Sequence, residues 1–135
     1  MTFTRLLLLP ALGGALIGGI LGTTGCETLN PPLRNPIPPT QASIDGGAAI
    51  YAERCAVCHG DSGRGDGPAA VGLKPKPADL RVHLAAGHSD AQLFDWVSNG
   101  YPDSAMPAFK STLSAEDRWN VLNYIRSSFG SAVPG

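Results

Sequence analysis

The sequence predicts a small all-α domain. Three amphipathic segments with capping residues, Gly- and Pro-rich loops between them, and no convincing period-2 strand point to it, in a chain of 135 residues that suffices for one small domain. Ten basic residues stand against eleven acidic ones, so the chain lacks the basic stripe that nucleic-acid binding needs. Nucleic acid is therefore set aside as a partner.

The first segment, "DGGAAIYAERCAVCH", opens at Asp45 as a helix N-cap and carries Ala48, Tyr51, Ala52 and Cys55 at three- and four-residue spacing. The second, "SDAQLFDWVSNG", starts at a Ser89 cap, turns Leu93, Phe94, Trp96 and Val97 to an apolar side, and closes on Gly100. The third, "SAEDRWNVLNYIRSSFG", has a Ser114 cap with Asp117 three residues on, then Trp119, Leu122, Ile125 and Phe129 at helical spacing. No internal repeat is present, and the folded domain is expected over 44–130, with a tail at 131–135.

Two segments of different character precede it. After Arg5 no charge occurs until Glu27, and the intervening run has the layout of a secretory signal: a positive start, an apolar core and small residues before a cleavage point. The chain is expected to be exported to the periplasmic side of a bacterial membrane, with 1–25 as signal peptide. "TTGC" at Thr23–Cys26 resembles a bacterial lipobox, although Thr23 stands where leucine is usual. Lipid attachment at Cys26 would use the odd cysteine of three. An uncleaved anchor is the alternative, since an uncharged run of about 20 residues can span a bilayer, but Pro10 and the glycine pairs weaken it as a helix. Either way the domain is tethered. Residues 26–43, with five prolines between Asn30 and Ser43, then read as an extended spacer; a Pro-rich docking ligand has no supporting charge pattern.

The chemistry lies in "RCAVCHGDSGRGDG". On a helix Cys55, Cys58 and His59 fall at i, i+3 and i+4, so both sulfurs and the imidazole share one face. That arrangement suits bonding two vinyl groups at one porphyrin edge while presenting a nitrogen to the iron, the five-residue pattern of c-type haem attachment. A domain of fewer than about 90 residues also needs such a staple, because its own core buries little surface. A zinc site from Cys55, Cys58, His83 and His88 would need a far shorter gap before His83. A redox dithiol lacks its βαβ setting, and a Cys55–Cys58 disulfide leaves His59 unexplained.

The second axial position has three candidates, Met106, His83 and His88. Met106 is preferred: it sits in a loop before the last helix, and Pro107 stiffens the backbone that would hold its thioether over a haem face. Trp96, Trp119 and Arg81 carry N–H donors of the kind that bind haem propionates, but core packing and surface charge are their ordinary roles.

From Gly47 to Phe129 the sequence resembles class I cytochromes c, above all bacterial single-haem domains with "CHGxxGxGDGP" after the attachment site and "NGxxxxxMPxF" before the last helix. The resemblance implies the class I cytochrome c fold, helices and long loops around one covalent haem c. It implies thioether bonds at Cys55 and Cys58, and iron held by His59 and Met106. It also implies packing of Gly47 and Tyr51 on the first helix against Tyr124 on the last, with Val121 alongside, and a proline carbonyl, from Pro75 or Pro77, that orients His59.

Iron closed on both sides has no position for a small-molecule substrate, so the expected role is a one-electron carrier and not an enzyme. Thioether ligation and an apolar pocket favour Fe(II), which predicts a relatively oxidising carrier. Its partners would be a redox donor and acceptor, met as a tethered shuttle or as a fixed haem subunit of a membrane oxidoreductase complex. Arg64, Lys74, Lys76 and Lys110 are interspersed with Asp61, Asp66, Asp79 and Asp103, so no one-signed docking ring is legible. Without Met106 as ligand the iron would be open, as in a peroxidase or gas sensor, with His83 or His88 on the distal side.

Overall fold

The computed structural model describes residues 34–130; the expected leader, Cys26 and the tail at 131–135 lie outside them. The described chain forms α1 (Gln41–Arg54), α2 (Ala56–His59), a 3-10 turn (Pro68–Ala70), α3 (Leu80–Ala85), α4 (Asp90–Asn99) and α5 (Ala115–Phe129). No strand occurs among the described residues, in keeping with the predicted all-α class.

Local chemistry accounts for most boundaries. α4 starts at Ser89 with a capping box to Gln92 and stops at Gly100, whose φ of 81° carries the chain out of the helix. α5 starts at Ser114 with the same device closed by Asp117. α1, however, begins earlier than an Asp45 cap would have it. Thr40 is the N-cap, its hydroxyl accepting from the Ser43 N–H, and Asp45 lies within the helix, accepting from the Gln41 side chain. Pro38 and Pro39 bar the helix from extending further back, so the first capable residue after them caps it. α3 is too short to show a period; its signal was Asp79, whose carboxylate accepts from the Arg81 N–H.

Packing centres on α1 crossing α5. A Cβ on Gly47 would lie 2.0 Å from the Asn120 carbonyl oxygen, so only glycine permits this approach. The contact brings buried Tyr51 onto Val121, Ile125 and Phe129, with ring centroids 5.2 Å from Tyr124 and 5.5 Å from Phe129. A second cluster of Leu93, Trp119 and Leu122 joins α4 to α5. There Phe94 stacks on Trp119 at 3.8 Å, and the Arg118 guanidinium lies over the Phe94 ring, 4.7 Å from its centroid.

The end of the predicted spacer belongs to this fold. The Asn35 side-chain amide donates to the Trp119 carbonyl and to Asn123 Oδ1, at 3.0 and 2.8 Å, and Ile37 packs on the Leu93–Trp119–Leu122 cluster. The folded part thus begins before residue 44. Prolines foretell an extended backbone but not the surface it lies on, which is why a free spacer was expected through Ser43. Among the described residues no helix is long and apolar enough to cross a membrane.

Gly47→Ala is expected to cost about 3 kcal/mol or more, because backbone on backbone cannot yield without moving α1 off α5. Chemical denaturation followed by helical circular dichroism will measure it, and a loss below about 1 kcal/mol would refute the crossing as described.

Candidate functional site

α1 and α2 run almost into one another. The Cys55 N–H donates to the Tyr51 carbonyl at 2.8 Å, and the Cys55 carbonyl accepts from the His59 N–H at 2.9 Å, so Cys55, Cys58 and His59 occupy one helical turn. The Gly-rich loop then folds back on that turn. Gly65 N–H donates to the His59 carbonyl, Gly67 N–H to that of Cys58, and Leu80 N–H to that of Gly63. At Gly65, with φ of 75°, a Cβ would meet the Pro77 carbonyl oxygen at 2.2 Å. Glycine at this position therefore lets the loop press directly on the segment leading to α3. Tyr51 closes the arrangement from α1, its hydroxyl donating to the Gly60 carbonyl at 2.8 Å.

The residues singled out from the sequence meet at one cavity of about 410 Å³. Cys55, Cys58, His59 and Met106 all line it, with Leu80, Leu84, Leu93, Val97, Leu122 and Ile125 among its apolar walls. Met106 reaches it from the loop after α4, where its N–H donates to the Ser104 hydroxyl and its carbonyl lies under Gly100. His83 and Trp96 also line the cavity. Trp119 is buried against Phe94, Arg81 pairs with Asp79, and His88 stacks on the His83 ring; none of the three is on the cavity wall. Lys76, which the sequence reading weighed only as a surface charge, and Arg54, which it did not single out, are on it.

His59 Nδ1 lies 3.2 Å from the carbonyl oxygen of Ala78. Neither Pro75 nor Pro77 supplies that carbonyl: the Pro77 carbonyl lies against Gly65, and it is the carbonyl of the next residue, Ala78, that meets the imidazole. A carbonyl only accepts, so Nδ1 carries the ring proton and Nε2 keeps its lone pair. Burial lowers the pKa of His59, the Ala78 carbonyl opposes this, and His83 nearby lowers it further, which favours the neutral ring that a metal ligand requires. Burial, with Cys58 beside it, pushes the Cys55 thiol up to about 12. Cys55 and Cys58 are free thiols. Burial and the neighbouring Cys55 raise Tyr51 beyond the tyrosine range, so its hydroxyl stays a donor.

These residues fit a haem. The cavity offers apolar walls, a neutral imidazole with its outer nitrogen free, two unpaired thiols one helical turn apart and a thioether. When bound there, the group would meet Cys55 and Cys58 at one edge and His59 and Met106 as the available iron ligands.

Known proteins agree. The family described as cytochrome c oxidase, cbb3-type, subunit III matches residues 42–125. The cytochrome c subunit of a quinone alcohol dehydrogenase from Gluconacetobacter polyoxogenes is 29% identical over 120 residues, covering 82% of this chain and 24% of that protein. Its counterpart from Gluconobacter oxydans (strain 621H) is 29% identical over 94 residues, covering 67% of this chain and 20% of that one. A chain of the reducing HAO-like protein complex of Kuenenia stuttgartiensis is similar with a TM-score of 0.59 and 33% identity, covering 72% of this chain and 46% of that one. The chain thus spans about a quarter, or less, of the curated relatives it matches.

Tyr51→Phe is expected to destabilise the fold by about 0.5–1.5 kcal/mol, since it removes a buried hydrogen bond and leaves the Gly60 carbonyl with the Gly63 N–H alone, while keeping the ring packed. Denaturant midpoints of the two proteins at equal slope provide the check; an unchanged midpoint would mean that Tyr51 acts only through its ring.

Proposed function

The chain belongs to this family of c-type cytochrome domains, and from that premise we propose a membrane-tethered one-electron carrier whose single haem is ligated by His59 and Met106. Haem c and electron transfer come with the family and with relatives that are cytochrome c subunits. The observation that carries the finer reading is the His59 Nδ1 contact with the Ala78 carbonyl, which leaves Nε2 as the ligand atom in the same cavity as Met106.

The haem, when bound, supplies one reversible electron at its iron. His59 contributes a fixed, neutral imidazole, and the Ala78 carbonyl strengthens it as a donor by drawing on its N–H. Met106 would supply a second, soft ligand that favours the reduced metal. The leucines and valine of the cavity wall exclude water, which penalises the more highly charged oxidised state and so raises the potential. Cys55 and Cys58 would fix the group by thioether bonds, so that it stays bound in both oxidation states. Lipid at Cys26 would hold the domain at the periplasmic face of the membrane, where its partners would be redox proteins. Residence as a fixed haem subunit of a membrane oxidoreductase complex is the second reading, supported by relatives that are subunits of a quinone alcohol dehydrogenase.

Optical spectra of the chain matured with haem-attachment machinery test the ligation. A covalent c-type spectrum with the far-red methionine–iron(III) band, no response to carbon monoxide, and loss of the band in Met106→Ala are expected. A native protein that binds carbon monoxide readily would instead point to an open iron. For the tether, labelling cells with a radioactive fatty acid should mark the native chain and not Cys26→Ser; equal labelling of both would rule out lipid at that position.

A further inference from the structure

Two helices that begin at the N-terminal strap, residues 34–39, end at the mouth of the cavity. α1 is capped by Thr40, directly after the strap, and finishes at Arg54. α4 begins at Asp90, whose carboxylate accepts from the Asn35 N–H at 3.1 Å, and finishes at Asn99, just before Tyr101. Arg54, Pro75, Lys76 and Tyr101 all line the cavity and are exposed, so they mark its mouth. At about 1.5 Å per residue, α1 puts roughly 20 Å between strap and mouth. α5 separates them again. Val121, Leu122 and Ile125 line the cavity, whereas Asn123, Arg126 and Ser127 line a second hollow together with Arg34, Asn35 and Ile37. With about 3.6 residues per turn, the two sets lie on opposed sides of the helix. The strap is held on its own side by the Asn35 amide, which donates to the Trp119 carbonyl and to Asn123, and by the Ile37 carbonyl, which accepts from Asn123. Asp90 is braced in turn by Arg126.

A tether that ends at Cys26, the reading above on which this inference rests, enters the fold at Arg34, on the side away from the mouth. The eight residue steps from 26 to 34, whatever their conformation, reach at most about 28 Å. Laying the mouth on the bilayer would lift the strap roughly 20 Å above it. That uses up most of the available reach and costs chain entropy, whereas a strap next to the bilayer costs none. We propose that the strap holds the domain on its tether with the cavity mouth turned away from the bilayer. The electron is then exchanged with a redox protein whose own centre stands clear of the membrane surface, and not with a quinol dissolved in the lipid. Among the described residues that line the cavity none is acidic, and Arg54 and Lys76 stand at its mouth beside Pro75 and Tyr101. The partner's matching face is apolar at its centre and carries carboxylates at its edge.

The test uses the full matured chain, reduced, in vesicles of phosphatidylethanolamine and phosphatidylglycerol that contain a little gadolinium-chelating lipid. A nitroxide is placed at Ser127→Cys, beside the strap, or at Lys76→Cys, at the mouth, and the chain without an added cysteine provides the background. Both positions are exposed, so labelling leaves the packing intact. Relaxation of the nitroxide by gadolinium at the lipid surface is expected to be at least about threefold stronger at residue 127 than at residue 76, given the roughly 20 Å between strap and mouth. Equal relaxation, or stronger relaxation at residue 76, would overturn the proposal and bring a lipid-dissolved quinol within reach of the mouth. Absence of any gadolinium effect at both positions would instead mean that the tether itself is missing, and the orientation falls with it. A second chain, with about fifteen Gly and Ser residues inserted between positions 33 and 34, lifts the limit on reach while leaving the strap in place. Its two relaxation rates should approach one another; a difference as large as in the native chain would show that something other than the short tether orients the domain, and the proposal would be rejected.

Discussion

Gly47 sets how near α1 can come to α5, and most of the molecule follows from that distance. With a hydrogen in place of a side chain, the helix lies against the backbone of Asn120, where any Cβ would stand 2.0 Å from a carbonyl oxygen. Tyr51, one turn on, is thereby driven into the Val121–Ile125–Phe129 cluster, and its hydroxyl reaches the carbonyl that ends α2. The turn bearing Cys55, Cys58 and His59 is fixed from below by this contact. A looser crossing would leave the same residues helical but no longer aimed at the cavity.

Polar groups fix the rest of the frame. Asn123 is buried on α5 and ties its amide to three residues of the N-terminal stretch: it accepts from the Asn35 side chain and donates to the Ile37 carbonyl and the Ser43 hydroxyl. Because each of these bonds is buried or nearly so, losing one leaves an unpaired group, and the N-terminal segment is held in one register. The Gly-rich loop does the same at the other end. It donates backbone N–H groups to His59 and Cys58 and accepts from Leu80, so the attachment turn and α3 are joined by main chain alone. That tie delivers the Ala78 carbonyl to His59 and carries His83 to the cavity wall.

The elements legible in the sequence were those whose signals are local. Ser89 and Ser114 begin their helices as their caps require, Gly100 ends α4, and the i, i+3, i+4 spacing of Cys55, Cys58 and His59 already put three chemical groups on one face. The family likeness, too, was carried by contiguous motifs, and the match over residues 42–125 agrees with it. One misplaced feature was itself local: α1 starts at Gln41, capped by Thr40 just after two prolines that bar an earlier start. The other depends on distant neighbours, since Asn35 and Ile37 leave the spacer because α5 offers them partners.

By itself, then, the sequence determined the helical class, the attachment turn and Met106 as a loop ligand candidate, since helix periodicity, caps and short motifs are properties of a few consecutive residues. Only the tertiary structure decided that Ala78 and not a proline meets His59, that Trp119 and Arg81 stay off the cavity wall, and that His83 is on it. A carbonyl has no residue-type signature, and the direction of a side chain on a six-residue helix depends on what packs around it. Those facts arise when the loop after α2 folds back, and they are set by contacts between residues far apart in the chain.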